Sequence, residues 1–279
     1  MAKSKNTLLF IGLGLIFIIA ATSLIESEYL LSPQETPEYQ RYIIDNWLHN
    51  QDKIDTLSFD TTIKGSLSGT ILDSLKITDI KVMNLTGVVD NKNKKIHIKG
   101  DLGKLFKLKP EAYLMQNESF ISISGTGWIR SEKRFGLWSP NPKTEFSNST
   151  IITVEGQQNV NSQDCYVIKI KAGSEDAAAL LLKEFGVKNY GNESEIFKNL
   201  RNLTSTEYIS KETFLPVRSE TELTFQSDDE TAGFKIKLYT NYRDYNNVTE
   251  IVLPEETEYY IEERNMIGVD DMLANLPLI

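Results

Sequence analysis

The chain holds one cysteine, Cys165, and two histidines, His49 and His97, in 279 residues. A single thiol excludes an internal disulfide, a CxxC redox pair and a thiolate zinc cage, and two histidines cannot furnish a histidine-rich metal site. Glycine (16) and proline (8) are too scarce for collagen-like or proline-rich character. Positive charge is also short: 30 Lys+Arg stand against 39 Asp+Glu, a formal charge of −9, and no stretch gathers enough cations to grip a phosphate backbone. Nucleic-acid binding is therefore set aside. Asp228-Asp229-Glu230 and Asp270-Asp271 lack the spacing of a calcium loop, and Gly125-Thr126-Gly127 lacks the third glycine and the helix of a dinucleotide loop. His49, His97 and Cys165 read as a helix end, a strand surface and a core thiol. No catalytic residue, metal or cofactor is assigned, and the chain reads as non-enzymatic.

What is present is a globular composition, 40% hydrophobic and 25% charged, behind one long apolar run. Thr7 to Ile25 is nineteen residues without a charge, preceded by Lys3 and Lys5 and followed by Glu26 and Glu28. That length suffices for a membrane-spanning helix, and the lysines set its N-terminus in the cytoplasm. The expectation is a single-pass protein of the cell membrane. Residues 1–25 form a transmembrane anchor or uncleaved signal, 26–34 a linker, and 35–279 one domain outside the cytoplasm. Six Asn-X-Ser/Thr triplets, at Asn84, Asn117, Asn148, Asn192, Asn202 and Asn247, fall on that outer side and fit a glycosylated cell-surface protein.

Pro37-Glu38 opens a helical pattern with Tyr39, Ile43 and Trp47 four apart, ending near His49-Asn50. From Leu57 the pattern changes to alternation broken by turn signals such as Asp90-Asn91-Lys92-Asn93 and Gln116-Asn117-Glu118, the mark of an antiparallel meander. After the strand Asp164–Lys171 come AAALLLKEFGV and Ser194–Leu203, both read as helices. Further strands follow, the last near Glu250–Leu253 or Tyr259–Glu262. The fold class expected is α+β: a transmembrane helix, then a highly curved antiparallel sheet with helices covering its concave face.

Three stretches carry a family resemblance. Glu155-Gly156 through Asp164-Cys165-Tyr166-Val167-Ile168, Tyr208-Ile209-Ser210-Lys211-Glu212-Thr213-Phe214-Leu215-Pro216-Val217-Arg218, and Asn241–Tyr245 with Ile251-Val252-Leu253-Pro254 resemble hairpin words of the LolA/LppX/LprG-like lipoprotein-carrier superfamily. With the first helix, the resemblance runs from residue 35 to 260. Phe214 and Ser162 stand where that pattern has glycine, Ser210 replaces an aspartate, and the lipid-attached cysteine is missing. The resemblance implies a half-open β-barrel with a helical lid over an apolar cavity, which carries or senses lipids without enzymatic activity.

Period-two stripes supply the lining of such a cavity: Ile121 with Ile123, Ile168 with Ile170, Val217 with Leu223 and Phe225, and Phe234 with Ile236 and Leu238. Lys235, Lys237, Arg218, Glu220 and Glu222 mark the wet side. Trp128, with Phe135 and Trp138 among Arg130, Lys133 and Arg134, makes a basic-aromatic loop at a membrane interface or a cavity rim. Two functions follow. One is a membrane-anchored carrier or sensor of a lipid or other apolar ligand; the other is a cell-surface interaction module using the same fold with no bound ligand.

Overall fold

The computed structural model describes residues 37–69, 79–103, 108–124, 127–131, 150–173, 199–227 and 232–262. The apolar run 7–25, the linker 26–34, AAALLLKEFGV, Trp138, the acidic groups at 228–230 and 270–271, and Asn148 and Asn192 lie outside them.

One α-helix, α1 (Glu38–Gln51), comes first. Pro37 at φ −52° and ψ 140° stays extended, and its carbonyl accepts the amides of Gln40 and Arg41, so the proline lies just outside the first turn. Glu38 in the first turn and His49 in the last complement the helix dipole. Ile43, Ile44 and Trp47 are its buried side.

Twelve strands follow in one sheet: β1 (Thr56–Gly69), β2 (Ile80–Asp90), β3 (Lys95–Asp101), β4 (Pro110–Met115), β5 (Ser119–Ile123), β6 (Trp128–Ser131), β7 (Ile151–Val160), β8 (Gln163–Gly173), β9 (Leu200–Ser210), β10 (Pro216–Gln226), β11 (Ala232–Arg243) and β12 (Tyr260–Glu262). Their order is β12-β6-β5-β4-β3-β2-β1-β11-β10-β9-β8-β7. Two antiparallel meanders, β1–β6 and β7–β11, therefore meet where β1 pairs β11, from Ser58↔Arg243 to Gly69↔Ala232. A 3-10 turn (Glu255–Glu258) delivers β12 to the edge, parallel to β6.

Residues paired across antiparallel strands project to the same side, so the register defines one core face. Tyr242, Phe59, Gly87, Ile98, Ala112 and Ile121 follow one another across it on six neighbouring strands. Phe59, Ile63, Met83, Leu85, Ile96, Ile98, Leu223, Phe225 and Leu238 belong to the main apolar cluster on this side. Full burial of one such side chain stabilises by about 1.5–3 kcal/mol. Helix α1 covers the β7–β9 end, packing Ile43, Ile44 and Trp47 on Ile168, Ile170 and Ile209.

Three sequence expectations are corrected here. The α+β class with a transmembrane helix and a helical lid gives way to a twelve-stranded sheet with a single α-helix among the described residues. Part of the second expected helix, Ser194–Leu203, is strand: Leu200 opens β9, is fully buried and lies opposite Phe225. Strand pairing overrides the spacing of Leu200 and Leu203 that resembles a helix face. The single-pass location in the cell membrane does not stand either, because no helix among the described residues is long and apolar enough to cross a membrane.

Candidate ligand-binding face

The core face brings together Ile121, Ile123, Ile168, Ile170, Leu223, Phe234, Ile236 and Leu238 from the expected cavity lining. Two residues go elsewhere. Trp128 pairs with Tyr260 on the opposite face and packs on Tyr113, ring centroids 5.5 Å apart, beneath Ile251 and Leu253. Val217 sits at an irregularity between Pro216 and Arg218, which turns it toward Val160, Cys165 and Tyr208. In that cluster burial pushes the Cys165 thiol up, keeping it protonated, and its Sγ donates to the Gln163 carbonyl at 3.5 Å.

At one end of the central strand pair the core face is open. Leu67 of β1 lies opposite Phe234 of β11, and the two are 42% and 39% exposed. Phe234 stacks in parallel on Phe225, centroids 4.3 Å apart, so one ring is buried and its partner forms an apolar lip.

A polar row that alternation alone does not reveal crosses the middle of this face. Glu207 (β9), Ser219 (β10), Thr240 (β11) and Thr61 (β1) are register partners in sequence, and all four are buried. Thr61 and Thr240 share a hydrogen bond of 2.9 Å, and the Tyr242 hydroxyl donates to Ser219 Oγ at 3.2 Å. Ser205, itself 2.9 Å from Thr221 Oγ1, donates to Glu207 Oε1 at 2.6 Å. Burial pushes the Glu207 carboxyl up to about 7, against the pull of the Ser205 hydrogen bond. Each of these residues has a period-two place in its strand, but a Ser, Thr or Glu at an inward position looks like an ordinary register break. Only the pairing aligns them.

The opposite face carries a second polar cluster. His97 of β3 stacks on Tyr113 of β4, centroids 4.1 Å apart, and its Nε2 lies 2.8 Å from Glu111 Oε1. The Tyr113 hydroxyl donates to the same oxygen at 3.2 Å, and Lys99 Nζ stands 3.4 Å away. Burial holds the imidazole below its ordinary value, so a neutral ring donates to the carboxylate. Ser122 lies opposite Glu111 on β5. A groove of about 250 Å³ runs nearby between Lys95, Tyr113, Met115, Ile251 and Leu253. No group of three or more His, Cys, Asp or Glu among the described residues is placed to hold a metal ion.

Of the glycosylation triplets, Asn117, Asn202 and Asn247 are exposed, whereas Asn84 is half-buried on β2 and its Oδ1 accepts the Thr62 hydroxyl.

Residues 139–259, which include the second meander, match a family model described as a family of unknown function (DUF6612). No curated protein matches the chain by sequence. Among solved structures the chain is similar to the lipoprotein LppX of Mycobacterium tuberculosis (11% identity, 76% of this chain and 97% of that one, TM-score 0.45). It is similar as well to LprF from Mycobacterium bovis (10%, 78% and 98%, TM-score 0.46). A putative outer membrane lipoprotein-sorting protein domain from Vibrio parahaemolyticus also matches (10%, 76% and 94%, TM-score 0.28). At such identities and TM-scores these likenesses carry no argument about this chain.

Proposed function

We propose that the protein binds an apolar ligand, a lipid chain, against the core face of its sheet, and that it does so without catalysis. The observation that carries this reading is the open end of that face, where Leu67 and Phe234 stay 42% and 39% exposed in direct continuity with the buried Phe225, Leu223 and Leu238. Apolar side chains left in water at the rim of a core form a hydrophobic surface that a chain can cover, gaining about 0.8 kcal/mol per buried methylene. The alternation that lines the face is indifferent to chain length, so the apolar body is bound with broad specificity. The protein purified without detergent from a membrane-containing host retains lipid, detected by native mass spectrometry and organic extraction. Leu67→Asp with Phe234→Asp lowers that retention. A bare polypeptide mass, with no uptake of added lipid, refutes the reading.

A second reading rests on β7. Among the described residues it pairs only with β8 and ends the sheet, and it runs largely exposed from Glu155 to Asn159, an edge that suits a strand of a partner protein. A proline at Gln158 that abolishes partner capture without affecting lipid retention separates the two.

A further inference from the structure

The polar row across the core face, with Ser205 and Thr221 beside it, ends in Glu207, and that carboxyl is incompletely satisfied. Its β8 neighbour in register is Ile168 and its β10 neighbour is Ser219. One donor reaches it among the described residues, the Ser205 hydroxyl at 2.6 Å, and no lysine or arginine forms an ion pair with it. Of the nearby phenols, Tyr245 feels the Glu207 charge and directs its hydroxyl to the Pro216 carbonyl, while that of Tyr242 is directed to Ser219. A carboxyl offers about four acceptor sites. Burying it with one donor and no counter-charge is costly, and apolar strands do not require it for packing. The next hydroxyls in the row, on Ser219, Thr240 and Thr61, are already engaged within the protein, so the unfilled accepting capacity is concentrated at Glu207.

We propose that Glu207 is the head-group contact for a single-chain amphiphile whose head donates hydrogen bonds, a primary amine foremost and a hydroxyl second, with the chain lying over Leu223 and Leu238 toward the Leu67–Phe234 opening. This rests on the reading of the face as a lipid-binding surface and adds the chemistry of the head. An ammonium supplies both the donors and the counter-charge that the site lacks. An alcohol supplies a donor. A carboxylate head supplies neither and is repelled by the ionised side chain. Burial raises the Glu207 carboxyl to about 7, so at pH 8 most of it is ionised and the distinction is largest.

The test is calorimetric titration of the full chain with dodecylamine, dodecanol and dodecanoate, each below its micellar concentration, at about pH 8 and about 0.15 M salt to screen the net negative charge. The intact protein binds the amine about tenfold or more tighter than the carboxylate, with the alcohol between, since a hydrogen bond to a charged group is worth about that factor. Glu207→Gln keeps the alcohol affinity and loses most of the amine preference. Ser205→Ala, which leaves the carboxyl in place, keeps the preference and guards against a Gln variant that misfolds. Residues 7–25 are common to all three proteins, so non-specific uptake by that apolar run cancels. Equal affinity for the three heads in the intact protein, or a preference undiminished in Glu207→Gln, overturns the head-group assignment while the lipid-binding reading stands. Failure of all three to bind overturns both.

Discussion

The ring of Phe59 on β1 lies directly over its strand partner Gly87 on β2: a methyl group at Gly87 would fall 2.4 Å from Phe59 Cζ and 2.9 Å from the His97 carbonyl oxygen. The glycine is what lets a fully buried aromatic ring lie flat on the sheet at the centre of the main cluster. Gly87→Ala is expected to destabilise by about 1–3 kcal/mol, because the ring must leave its rotamer and the backbone oxygen cannot give way. A urea midpoint unchanged by this substitution would contradict the packing described.

Glu207 makes stability depend on pH in the direction opposite to a salt-bridged carboxylate. Its folded-state value, about 7, lies above the ordinary 4.5, so the folded chain holds a proton that the unfolded chain has released. Stability is greatest below about pH 4.5, declines as pH rises toward 7 and is level above it, a span of about 3 kcal/mol for this group alone. Replacing it by glutamine should therefore raise the melting temperature more at pH 8 than at pH 5. An equal change at both would remove the titration from the account.

Thr61 and Thr240 share a buried hydrogen bond. Thr61→Val strands the Thr240 hydroxyl and costs about 1–3 kcal/mol, whereas replacing both by valine is close to neutral. Chemical denaturation of the two single variants and the double variant measures the coupling. Additive losses would show that the pair contributes nothing.

Phe214 occupies the left-handed region at φ 54°, where a bulky residue is strained by about 1 kcal/mol or more. Its ring is held between Tyr42 and Tyr166, centroids 5.9 Å and 5.8 Å away. Alanine removes the rings' contact and keeps the strain, whereas glycine removes both. Phe214→Ala should therefore be the less stable of the two by about 1 kcal/mol. The reverse order, read from thermal unfolding, would show that the turn is unstrained.

The helix from Glu38, the hairpin turns and most strands were legible because each rests on local period and local turn chemistry, as at Asn161-Ser162, both at positive φ between β7 and β8. Ser162 and Phe214, where the family pattern has glycine, adopt the left-handed conformation themselves. What period alone could not give was anything set by pairing between distant segments. Trp128 follows Ile121 and Ile123 closely in sequence, yet it follows Gly127 at φ 93° and emerges on the other face. Val217 has the right parity and loses it to a single irregularity. His97 and Glu111 meet because β3 and β4 are paired, and the Glu207 row exists because four strands, three of the second meander and β1 of the first, are aligned. Leu200 shows the converse error, a spacing that fits a helix in a segment that β8 and β10 hold as strand.

The pairing of β1 with β11 also sets the order in which the molecule can assemble. Thr61 must find Thr240, 179 residues away in sequence, and the two central strands have no neighbour on that side until they do. Each meander can zip locally, hairpin by hairpin, but the middle of the sheet waits until β11 has left the ribosome. Folding should accordingly be slow and end in one late cooperative step, with the exposed edges of β1 and β11 the points at which an incomplete chain is most prone to pair with another.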